Sequence, residues 1–133
     1  KRVAKVFLGD VGSLPIGLLL GWCLLALAGN GHLAAALLLP LYFLTDATVT
    51  LLRRIARGEA FWDAHRSHFY QRATDNGFTV SRIIGEIFAL NIVLAALALW
   101  SVRMNSAAVD AAALVAGLVA TALLLARFAR PRT

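Results

Sequence analysis

Charge is what this sequence lacks most. Charged residues fill 15% of the 133 positions, against roughly 25% in soluble domains, and that is too few to coat a water-facing surface. Between residues 11 and 45 there is no Asp, Glu, Lys or Arg at all. An uncharged apolar run of about 18 residues or more reads as a membrane-spanning helix. Several such runs follow one another, which argues against a cleaved signal peptide. Cysteine is nearly absent too. The single Cys23 excludes a disulfide framework, and its place in an apolar stretch predicts a simple packing role. No internal repeat stands out.

What fills the chain instead is apolar: 60% hydrophobic residues, with a mean hydropathy of +0.76. Four spans are expected, at 13–28, 33–52, 83–102 and 107–126. Each is near the roughly 20 residues needed to cross ~30 Å of hydrocarbon. Gly29-Asn30-Gly31-His32 separates the first two as a short turn, because two Gly and an Asn disfavour helix continuation. Pro40 predicts a kink in the second span, and residues 53–82 form a polar loop. The expected fold class is therefore all-α and integral to the membrane, with about four transmembrane helices.

The placement of basic residues orients these spans. Of the 13 Lys and Arg, only Arg103 falls on one side of a four-crossing topology. The others precede the first span, lie between the second and third, or follow the fourth. The positive-inside rule then places both termini and the 53–82 loop, with its interfacial segment, in the cytoplasm. This asymmetry accounts for the net charge of +6 without nucleic acid as a partner.

Two polar clusters fall on that side. The first, Lys5-Val6-Phe7-Leu8-Gly9-Asp10-Val11-Gly12-Ser13, sets Asp10 between glycines that permit a tight turn. Ser13 is expected as the N-cap of the first span, with Pro15 in its first turn. A helix N-terminus suits phosphate, and an adjacent Asp can hold Mg²⁺ that bridges to phosphates. The plainer alternative is an N-capping turn at a membrane surface.

The second cluster is Glu59-Ala60-Phe61-Trp62-Asp63-Ala64-His65-Arg66-Ser67-His68-Phe69-Tyr70-Gln71-Arg72. If helical, His65, His68 and Arg72 share one face, which could bind phosphate. Its aromatics suit the boundary between water and lipid. A zinc site is the weaker reading, since two His lack further ligands nearby. An ordinary basic segment attracted to anionic headgroups is the alternative. Asp46 and Glu86 lie within expected spans, where acids are functional candidates by default. Gly17 and Gly21 form a GxxxG spacing that lets another helix approach. Asp110 and His32 carry no assigned role.

Both clusters, in this order and separated by one helical hairpin, resemble the polyprenyl-phosphate N-acetylhexosamine-1-phosphate transferases, the membrane enzymes of glycosyltransferase family 4. Residues 5–13 look like the family's F-x-G-D-x-G-S loop. Pro40, Asp46, Arg53-Arg54, Gly58 and His65-Arg66-Ser67-His68 look like its next helix and histidine loop. The form of residues 64–72 is most like the branch that starts O-antigen-type polysaccharides.

The resemblance implies transfer of a sugar-1-phosphate from a UDP-sugar to a polyprenyl phosphate such as undecaprenyl phosphate, with Mg²⁺ as cofactor and release of UMP. The implied setting is the cytoplasmic membrane of a bacterium, in cell-envelope polysaccharide synthesis, with a homodimer as an allowed state. By the same analogy Asp10 is a catalytic Mg²⁺ ligand and Phe7 stacks on uracil. His65 and His68 join the catalytic loop, and Arg66 and Arg72 contact the substrate's phosphates.

Two departures stand out. The family's further His, two positions beyond His68, is Tyr70 here, and its Asp-Asp pair has no counterpart. The chain, which opens at Lys1, is therefore expected to be a C-terminal portion that is inactive alone. Two other classes fit the span count: a small four-helix transporter using Glu86, and a passive membrane module whose basic loop binds lipid headgroups.

Overall fold

The computed structural model describes residues 9–59 and 68–131, and all of its regular structure there is helical. Six helices follow in order: α1 (Gly9–Gly29), α2 (Leu33–Leu38), α3 (Leu41–Ala56), α4 (Phe69–Asp75), α5 (Val80–Met104) and α6 (Ala107–Phe128). Three of them, α1, α5 and α6, are long and apolar enough to cross a membrane.

The second expected span is not one helix. It divides at Pro40 into α2 and α3, neither of membrane-spanning length. Proline has no N–H to return to the carbonyl four residues back, and its ring clashes with that carbonyl. α2 accordingly stops at Leu38, and α3 restarts with Pro40 as its N-cap, its carbonyl accepting from Leu44 N–H at 3.0 Å. The expected kink is thus a full break, and three membrane-length helices stand where four were expected.

α1 also departs from expectation. It begins at Gly9, so Ser13 lies inside the helix and is not its N-cap. Asp10 falls in the first helical turn, where a carboxylate complements the positive end of the helix dipole. No residue of α1 is buried, and the helix packs chiefly on α2. Cys23 is exposed, which removes the packing role expected of it. A Cβ added at Gly17 or Gly21 would meet nothing within 4 Å, so no described helix uses the GxxxG spacing.

The core forms where α5 and α6 pack on each other and on α2. α6 buries Ala113, Gly117, Thr121 and Leu125 at four-residue steps, and α5 presents Leu90, Leu94 and Ala98 at the same interval. Rows at this spacing make the ridges by which helices interlock, and small residues let backbones approach where lipid offers no hydrophobic drive. α2 contributes Ala34, Ala35, Ala36 and Leu38, all buried. Gly117 is the tightest point: a Cβ there would lie 2.7 Å from Leu38 Cδ2 and 3.1 Å from both Leu41 Cδ2 and Leu94 Cδ2.

The hairpin between α5 and α6 closes through Asn105, which adopts the left-handed conformation (φ 44°, ψ 51°) that Asn tolerates better than most residues. Ser101 on α5 donates a hydrogen bond to Asp110 on α6, which gives Asp110 a structural role. At the other end Glu86 Oε1 accepts from Arg82 Nε at 2.9 Å and lies 3.3 Å from Arg127 Nη2, tying α5 to α6 again.

Substitutions at Gly117 test this packing. Alanine gains about 1 kcal/mol of helix propensity against about 1–3 kcal/mol of overpacking, so Gly117→Ala is expected near neutral or mildly destabilising. Gly117→Val adds more bulk against a fully buried Leu38 and is expected to lose about 2 kcal/mol or more. Unfolding of the purified protein in mixed micelles checks this, and an unchanged midpoint for Gly117→Val would contradict the packing.

Candidate functional site

α3 carries Asp46, Thr50 and Arg54 at four-residue steps, and all three are buried. A carboxylate in such a place is costly unless hydrogen bonds surround it. Here one oxygen, Oδ1, accepts the backbone N–H of Phe69 at 2.9 Å and the Thr50 hydroxyl at 3.3 Å. The other, Oδ2, lies 3.4 Å from His68 Nδ1. Asp46 therefore caps the first turn of α4 from 23 residues away in sequence, a charge-assisted contact to a free helix-terminal donor. The carboxylate thus sits beside the Nδ1 edge of the imidazole.

His68 is the N-cap residue of α4, in an extended conformation (φ −62°, ψ 149°), and its carbonyl accepts from Arg72 N–H at 3.0 Å. Its ring stacks on Tyr70, with centroids 5.8 Å apart and an interplanar angle of 18°. Phe69 and Ala73 are buried beneath α4. At its far end Asn76 Nδ2 donates to the Phe128 carbonyl at 2.8 Å, and Phe78 meets Phe128 edge to face at 5.6 Å. α4 thus bridges α3 to the C-terminal end of α6.

Anchoring α4 on Asp46 gathers cations. Arg53, Arg54, Arg57 and Arg72, with Thr50, line a cavity of about 200 Å³. Arg53 lies over the Phe69 ring at 4.7 Å and Arg72 over it at 6.0 Å, where the negative face of the ring offsets part of their mutual repulsion. Glu59 meets two of the four, at 3.2 Å from Arg54 Nε and 3.8 Å from Arg57 Nη1. Four arginines around one small cavity, with one acid among them, have the chemistry to hold an anion. Arginine forks match phosphate oxygens in pairs, and the threonine hydroxyl adds a neutral donor.

Of the residues singled out from sequence, His68 and Arg72 come together in this site. Phe7, His65 and Arg66 lie outside the described residues. Asp10 is exposed in α1, and among the described residues no hydrogen bond or ion pair joins it to the arginine cavity. Nor do the described residues contain a group of three or more His, Cys, Asp or Glu placed to hold a metal. Mg²⁺ takes one or two carboxylates besides waters and phosphates. Exposed Asp10 offers one such carboxylate. Glu86 is engaged by Arg82 and Arg127.

Sequence reasoning misses the partnership of Asp46 with His68 and the gathering of Thr50, Arg53, Arg54 and Arg57. The signal is present for the latter, since three- and four-residue spacings put these side chains on adjoining faces of one helix.

Removing the carboxylate tests the scaffold. Asp46→Ala leaves the Phe69 N–H buried without its acceptor, and the expected loss is about 1–3 kcal/mol. Asp46→Asn retains an acceptor oxygen and is expected to lose less. Unfolding midpoints of the two variants and the wild type in the same detergent rank them, and a wild-type midpoint for Asp46→Ala would remove Asp46 from its anchoring role.

No protein-family model, curated protein or solved structure matches this chain, so the reading of its site rests on the geometry above and on the motifs in its sequence.

Proposed function

We propose that this chain contributes a phosphate-binding part of a membrane-embedded transferase that moves a sugar-1-phosphate from a UDP-sugar to a polyprenyl phosphate, releasing UMP. The observation that carries this reading is the arginine-lined cavity beside the Asp46–His68 pair. A nucleotide diphosphate is a dense anion, and phosphoryl transfer depends mostly on positioning and on neutralising charge. Four arginines on a membrane protein's cytoplasmic side would hold the diphosphate, and His68, beside Asp46, is proposed to join them.

The reading extends to parts of the chain outside that cavity. His65 and Arg66 belong to the segment between Glu59 and His68. Both bracketing residues contact groups of the site, Glu59 through Arg54 and Arg57 and His68 through Asp46. Asp10 is proposed as one acidic contributor. The acidic pair that the motif resemblance also requires is not in this sequence, so the activity is assigned to the whole enzyme of which this chain is a part. A bacterial cytoplasmic membrane completes the proposal, crossed by α1, α5 and α6 and by α2 and α3 taken together, so that both termini lie on its cytoplasmic side.

Steady-state kinetics of UMP release by that enzyme test it. Losing one charge-assisted hydrogen bond to phosphate removes about 1.5–3 kcal/mol, so Arg72→Gln is expected to lower kcat/KM for the UDP-sugar by roughly 10- to 100-fold. Asp10→Asn is expected to reduce turnover at saturating UDP-sugar. Wild-type rates in both variants would refute the assignment.

A further inference from the structure

A second basic cavity lies apart from the first and shares no residue with it. It has a volume of about 460 Å³ and sits between the start of α5 and the end of α6, lined by Phe78, Arg82, Leu123, Ala126, Arg127, Arg130 and Pro131. One wall is cationic and the other apolar. Three guanidiniums face one carboxylate: Glu86 Oε1 engages Arg82 at 2.9 Å and Arg127 at 3.3 Å, which leaves an excess of two positive charges at the cavity. Among the described residues no acid pairs with Arg130, while Arg82 is steadied over the Phe78 ring at 5.9 Å.

This combination has a direction. Leu123 and Ala126 belong to the apolar part of α6, Arg127 lies in its last turn, and Arg130 follows just beyond its end. The carbonyl end of α6 disfavours an anion, so an anion held here depends on the arginines. A bare phosphate would fill a small part of the cavity and leave the apolar wall unused. A phosphate ester that carries glycerol and acyl chains would use both walls, with the phosphate among the guanidiniums and the first carbons against Leu123 and Ala126.

We infer that the cleft between the start of α5 and the end of α6 is a binding site for the phosphodiester headgroup of an anionic membrane lipid, distinct from the Arg53–Arg72 cavity. Its phosphate is read by Arg127 and Arg130, and Glu86 holds Arg82 and Arg127 at a fixed spacing for it. The bound lipid clamps the open end of the α5–α6 hairpin, opposite the Ser101–Asp110 closure.

Native mass spectrometry of the protein in neutral detergent tests the site by titration with phosphatidylglycerol, phosphatidylcholine or glycerol 3-phosphate. Phosphatidylglycerol is expected to be retained over phosphatidylcholine, and glycerol 3-phosphate not to be retained. Each interfacial arginine contributes on the order of 1 kcal/mol to anionic-lipid attraction, so Arg130→Gln is expected to weaken phosphatidylglycerol about fivefold. Arg103→Gln, the same charge change beyond the other end of the hairpin, is expected to leave it unaltered. Equal retention of the two lipids, or equal effects of the two substitutions, would overturn the site. Glycerol 3-phosphate binding as tightly as phosphatidylglycerol would assign it to a soluble phosphoester and overturn the lipid.

Discussion

The Asp46 carboxylate is the point on which the arginine-rich region of this protein turns. It is buried in α3, and it is stable there because its oxygens meet the Phe69 amide, the Thr50 hydroxyl and the His68 ring. An acid so placed without partners would cost several kcal/mol. With them, it converts a stretch of sequence 23 residues away into a helix docked at a defined spot. Phe69 is then buried at the start of α4, where its ring lies under Arg53 and within reach of Arg72. The cation cavity depends on that docking, because Arg72 belongs to α4 while the other three arginines belong to α3 or its end.

The break at Pro40 separates two packing tasks. Before it, α2 is buried against α5 and α6, with Leu38 against Gly117. After it, Leu41 opens α3 against the same glycine, and the helix goes on to present Asp46 to α4. Gly117 thus admits the last residue of α2 and the first of α3, on either side of the proline.

Much of the site is legible in the sequence, and the reason differs residue by residue. His68 and Arg72 are marked by four-residue spacing and by their place in a polar cluster, and the structure puts His68 at the N-cap of α4 and Arg72 in its last turn. The arginines of α3 read only as topology signals, although Thr50, Arg53, Arg54 and Arg57 carry the spacing of adjoining helix faces. Ser13 satisfies the residue preference of a cap, but the glycines before it permit an earlier start at Gly9. Cys23 has apolar surroundings in sequence, which suggest burial, whereas α1 has no buried residue at all.

Local sequence alone determined the helical class, the apolar lengths of α1, α5 and α6, the turn after Gly29 and the disruption at Pro40. Each depends on hydropathy over a window or on backbone chemistry at one residue, and needs no distant partner. Tertiary structure alone decided which acid meets which donor, because Asp46 and Phe69 lie far apart in the chain and on helices whose mutual placement hydropathy does not encode. It also decided that Gly117 is a contact while Gly17 and Gly21 are not. A glycine's small size becomes a close approach only when another helix is brought against it.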